Sequence, residues 1–152
     1  MEVIFNKENH IKIIALEGSE NSGKSHVINI VYQFLICKGW EQESGNYEEL
    51  GDKSNEDILD VLLKDGIRLG IIGMGDYIVG KNSLRHLIER LIEKDCKIII
   101  CTFRTDKPKI RIAIEQSVKP ILLEVIKIKE QLDKSRYRFE NNKYAKMILE
   151  KI

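Results

Sequence analysis

The stretch "GSENSGKS" (Gly18–Ser25) separates an apolar run, "IKIIALE" (Ile11–Glu17), from "HVINIVYQFLICKG" (His26–Gly39), and its reading decides the fold. Glycines at both ends of a short loop permit dihedrals and close approaches that a Cβ would block, so the loop can curl around an anion. A helix starting at Gly23 or Lys24 points its unpaired N–H groups and the positive end of its dipole into that curl. Lys24 adds a full positive charge beside them. Outward from the loop, the continuous apolar run Ile11–Leu16 suits a parallel strand buried on both faces. Val27, Ile28, Val31, Phe34 and Leu35 recur at helical spacing, and Gly39 stands where the residue after a helix C-cap is expected.

The spacing G-x-x-x-x-G-K-[ST] is the P-loop, or Walker A, pattern. In it, backbone amides cradle phosphates, the lysine reaches the β and γ groups and the hydroxyl ligates Mg²⁺. Here the cradle is Gly18, Ser19, Glu20, Asn21, Ser22 and Gly23, with Lys24 as the lysine and Ser25 as the metal ligand.

The 152 residues carry a net charge of +1 and 32% charged side chains, which fits one domain and provides no global attraction to nucleic acid or anionic lipid. There is no 18-residue apolar stretch, and "MEVIFNKENH" lacks the basic and apolar regions of a signal peptide, so a cytoplasmic protein without membrane contact is expected. Cys37, Cys96 and Cys101 lie in apolar segments without C-x-x-C spacing; they read as small buried hydrophobes rather than disulfide or zinc ligands.

Between Glu41 and Asp60 eight carboxylates face one lysine, the composition of a solvated connection. Two apolar runs joined by Asp65-Gly66 then predict a hairpin with strands near Ile58–Leu63 and Ile67–Gly73. Leu84, Leu87, Ile88, Leu91 and Ile92 define an amphipathic helix capped by Asn82 or Ser83. "CKIIICTF" predicts another buried strand, and "TDKPKIRIAIEQS" a helix capped by Thr105 or Asp106 with Pro108 in its first turn. A last strand is expected at Ile121–Ile126, followed by a final helix from about Asn142 with Tyr144, Met147 and Ile148 inward. This alternation predicts a single-domain, three-layer αβα sandwich whose mostly parallel sheet carries a β-hairpin, with ligands at the carboxyl ends of the strands.

Phosphate chemistry calls for a carboxylate holding Mg²⁺ or its water at the end of a neighbouring strand. Asp76, after "IRLGIIGMG", fills that role if its strand lies beside the loop's own; Glu17 and Glu20 are alternatives. Arg104, past the end of "IIICTF", suits a developing charge on a transferring phosphate or an acceptor phosphate, in a corner made polar by Thr102, Thr105, Lys107 and Lys109. His26, His86, Trp40 and Tyr47 read as surface or local packing residues. "KSRYRFENNK" interleaves aromatic and basic residues as a weak nucleic-acid patch does.

Through "GSENSGKS" in its strand and helix setting, the chain resembles the P-loop NTPase superfamily, and its size and element order resemble the small kinase-type members. The hairpin ending "GMGD" and the strand ending "CTFRT" are similar to short ATP-binding proteins of bacteria and phage. The resemblance implies binding of Mg·ATP by Gly18–Ser25, with Lys24, Asp76 and Arg104 as catalytic residues and Ser25 and Asp76 on the metal. The chain departs from it in having no aspartate-arginine pair of the thymidylate-kinase type, no N-K-x-D and no glutamate after Asp76. Two activities are expected from these readings: a small phosphotransferase acting on a small-molecule acceptor, or an ATPase. A nucleotide-sensing module that signals to a protein partner is the alternative. A nucleic-acid accessory role through Arg136, Arg138 and Lys143 is weaker, and with near-neutral charge nucleic acid is not expected as the main partner.

Overall fold

A computed structural model describes residues 10–19, 23–50, 58–73, 83–116, 121–129 and 133–152. Glu20, Asn21, Ser22 and Asp76 lie outside the described residues. The elements are β1 (Ile11–Gly18), α1 (Lys24–Cys37), β2 (Glu41–Gln42), β3 (Glu48–Glu49), β4 (Ile58–Lys64), β5 (Ile67–Ile72), α2 (Leu84–Glu93), β6 (Cys96–Arg104), α3 (Pro108–Glu115), β7 (Ile121–Lys127) and α4 (Tyr137–Glu150), the last preceded by a 3₁₀ turn at Lys134–Arg136. All the strands belong to one sheet of order β2-β4-β5-β6-β1-β7, with β3 also on β4. β5, β6, β1 and β7 run parallel, and β2, β3 and β4 join antiparallel. The chain is therefore a mixed α/β protein with a mostly parallel sheet flanked by helices.

Strand alternation sorts the interior into two cores. Ile13, Ala15, Ile99, Cys101 and Phe103 pack with Leu84, Leu87, Ile88 and Leu91 of α2 and Ile114 of α3. Ile14, Leu16, Ile71 and Ile100 pack with Val27, Ile28, Val31 and Leu35 of α1 and Ala145 and Ile148 of α4. The central strands read as continuous apolar runs because helices cover both faces. The cover over β5 is tight: a Cβ on Gly70 would stand 2.6 Å from Leu91 Cδ1 of α2.

Several local expectations hold. Asp65 and Gly66 have φ of 52° and 78°, as a type I′ turn requires. The α1 terminus closes with Gly39 N–H donating to Ile36 O and Trp40 N–H to Leu35 O, the pair of bonds of a Schellman motif. Ser83 Oγ accepts from His86 N–H and caps α2.

Others need correction. The acidic stretch contributes two short strands, with Trp40 buried just before it and Leu50 buried within it. The N-cap of α3 is Lys107, not Thr105 or Asp106, because the Asp106 carboxylate is engaged by Arg104. α4 begins at Tyr137 rather than near Asn142, and its inward face is Asn141, Ala145 and Ile148, with Met147 exposed. A polar and a small residue on the buried stripe hid its period. Phe34 and Cys37 are exposed on α1, whereas Cys96 and Cys101 are buried and their thiols pushed up to about 12 by burial.

Candidate functional site

The carboxyl end of β1 is held from both sides. Ile128 N–H donates to Glu17 O at 2.7 Å from the β7 side, and Thr105 N–H donates to Gly18 O at 3.0 Å from the β6 side. Gly18 pairs in register with Arg104. The chain leaves β1 into α1 on one face and leaves β6 into α3 on the other, so the crevice between these strand ends is a topological switch point, where ligands bind in open α/β sheets.

The loop closes on Gly23, buried at φ 92°, ψ 14°, a conformation that favours glycine. Space adds to the requirement, because a Cβ there would stand 2.9 Å from Tyr137 Oη and 3.0 Å from Asn141 Oδ1 of α4. α1 starts at the next residue with no acidic side chain in its first turn and no side-chain cap on its N-terminus. Lys24 Nζ reaches back to the exit of β1, donating to Ser19 O at 2.7 Å and Gly18 O at 3.2 Å. The ammonium, the helix dipole and the half-buried Ser25 thus converge beside the exit of β1. That concentration of positive charge and donors suits a phosphate group.

Arg104, the last residue of β6, grips Asp106 in a two-point pair, Nε to Oδ1 at 2.9 Å and Nη2 to Oδ2 at 2.7 Å. The hydrogen bond from Arg104 holds the Asp106 carboxyl below the usual aspartate range. Thr102 is buried; Thr105 serves the site through its backbone N–H. The expectation for Asp76 rested on its strand lying beside β1. That premise fails: β6 stands between β5 and β1, and the neighbouring strand ends in Arg104. Among the described residues no group of three or more His, Cys, Asp or Glu side chains is arranged to hold a metal.

Glu17 is 8% exposed, and its Oε2 is fully buried without a hydrogen-bond partner among the described residues. Alternation sets it on the α2 and α3 side, after Ile13 and Ala15.

Sequence reasoning missed Tyr137 and Asn141, which back Gly23 from α4. His26, exposed as expected, meets the Tyr137 ring edge to face at 6.5 Å between centroids. A cleft of about 750 Å³ opens beside them between α1 and α4, lined by His26, Asn29, Gln33, Lys134, Tyr137 and Arg138 among others. The signal that points to Tyr137 is its spacing of four from Asn141, legible only once α4 is known to start there.

No helix among the described residues is long and apolar enough to cross a membrane. Comparison with family models, with curated proteins and with solved structures found no match.

Proposed function

We propose that the chain binds Mg·ATP through Gly18–Ser25 and uses it as a small phosphotransferase or ATPase with a P-loop-type fold. The observation that carries this reading is the left-handed Gly23 followed by the start of α1, with Lys24 folded over the exit of β1 at the switch point. Lys24 and the loop amides hold the β and γ phosphates, which displace the ammonium from the carbonyls of Gly18 and Ser19. Ser25 ligates Mg²⁺ in this reading; the metal offsets phosphate charge when bound. Positioning and electrostatics then supply most of the rate, since phosphoryl transfer asks little covalent chemistry of a protein.

A sensing module that binds ATP with little turnover is the second reading, favoured by the Arg104–Asp106 pair. A guanidinium already neutralised by a carboxylate helps a γ-phosphate only after that pair opens.

Lys24→Ala is expected to weaken Mg·ATP binding at least 100-fold in calorimetry while preserving the fold; wild-type affinity in the variant removes the assignment. ADP release separates the activities. Release that needs an added nucleoside, nucleotide or small metabolite identifies a kinase, and release without one an ATPase. Thermal stabilisation by ATP without release identifies the sensor.

A further inference from the structure

The small net charge of the chain conceals a division across the sheet. Along the sequence, residues 41–60 hold eight carboxylates and one lysine, and residues 127–152 hold eight lysines and arginines against four carboxylates; among the described residues, Glu41, Glu48 and Glu49 lie on β2 and β3 at one edge, and the eight cations lie on β7, on α4 or next to them. Lys134, Arg138 and Lys143 have no carboxylate partner among the described residues. Lys146 meets Glu150 only at 4.0 Å, and Arg136 meets Glu140 only at 3.4 Å.

Aromatic surface accompanies this charge. Phe139 is 62% exposed, and the Arg136 guanidinium stacks over its ring at 5.1 Å from the centroid. On another side of α4, the cleft against α1 carries Lys134, Tyr137 and Arg138 on one wall and His26, Asn29 and Gln33 on the other. Among the described residues no carboxylate lines it.

We propose that the outward face of α4, with the adjoining cleft, binds single-stranded nucleic acid. Cations that track a phosphodiester backbone, interleaved with exposed rings on which unpaired bases stack, are the means by which proteins hold single strands without reading sequence. Phe139 offers a ring face to an unpaired base, which a duplex keeps inside its stack. Glu41 and Glu49, exposed on β2 and β3 at the opposite edge, repel phosphodiester and favour the β7 and α4 side. The inference stands on α4 and the cleft it forms with α1, and does not depend on nucleotide binding at Gly18–Ser25.

The test is fluorescence anisotropy of fluorescein-labelled dT20 and rU20 with the full chain in 50 to 200 mM KCl, with an unlabelled 20-base-pair duplex as competitor. Saturable binding is expected at 50 mM KCl, with a log–log salt slope of about −3 for four neutralised phosphates. Tighter binding of dT20 or of rU20 assigns the strand as DNA or RNA. Phe139→Ala is expected to weaken binding about 10-fold with the slope unchanged, as loss of one stacked base does. Combining Lys134→Ala, Arg138→Ala and Lys143→Ala is expected to flatten the slope by about 2 units. Should the triple variant fold poorly, the single exposed Lys143→Glu replaces it and is expected to weaken binding with a shallower slope. Lack of binding at 50 mM KCl, binding indifferent to all these substitutions, or equal competition by the duplex overturns the proposal. Sedimentation showing that the basic face is instead occupied by the acidic edge of a second copy also overturns it.

Discussion

Asp60 and Glu17 are both strand carboxylates withdrawn from solvent, on β4 and β1, and their surroundings are opposite. Asp60, fully buried, accepts from Tyr32 Oη at 2.8 Å and Gln42 Nε2 at 2.9 Å through one oxygen and from Val61 N–H at 2.8 Å through the other. It ties α1, β2 and β4 together, and burial together with Asp60 raises the Tyr32 phenol well above its ordinary range. Glu17 keeps a buried oxygen without a hydrogen-bond partner among the described residues. A buried polar atom left unpaired costs stability, so a chain retains one most readily where function uses it. At Asp60 the antiparallel end of the sheet meets its polar demand internally, while at Glu17 no described residue does so.

The strongest way to break this contrast is Asp60→Ala, which strands a phenol, an amide and a backbone N–H together. It is expected to cost about 3 kcal/mol in urea unfolding; a loss below 1 kcal/mol means that the three donors find water and Asp60 is no tie. Glu17→Met removes an unpaired buried oxygen while conserving volume. A gain of about 1 kcal/mol is expected, and a loss as large as that of Asp60→Ala reveals a partner for Glu17 and ends the contrast.

Glu124 sharpens the comparison from the solvent side. Half-buried on β7, it pairs with Lys151 at 2.7 Å and Lys12 at 3.7 Å, and the hydrogen bond from Lys151, with the nearby Lys12, holds its carboxyl below the usual glutamate range. A carboxylate with a lowered folded-state pKa contributes stability above its unfolded pKa, about 4.3, and loses it as pH falls through the folded value. Glu124→Gln is therefore expected to cost less than 1 kcal/mol at pH 7, after solvent screening. The gap from the wild type should close between about pH 5 and 3. A gap that persists at pH 3 assigns the effect to packing.

Legibility followed the locality of the physics. The hairpin, the α1 terminus and the α2 stripe were readable because turn dihedrals, caps and period are set by neighbours in sequence. The left-handed Gly23 at the start of α1 was readable for the same reason, since a glycine just before a helix carries its meaning on the backbone. The start of α4 was not, because Tyr137 and Asn141 become intelligible only against Gly23, where an added Cβ would meet them both. The Asp76 reading depended on strand order, and no side chain of β5 reveals that β6 lies between it and β1.

By itself, the amino-acid sequence determined the alternation of strands and helices and the glycine that opens α1, since both follow from dihedral preference and apolar spacing over a few residues. Only the tertiary structure decided that Arg104 rather than the end of β5 adjoins Gly18, that Tyr137 and Asn141 back the loop, and that Glu17 is buried without a described partner. Those are contacts between segments up to more than a hundred residues apart, and they are chosen by how two cores close over one sheet.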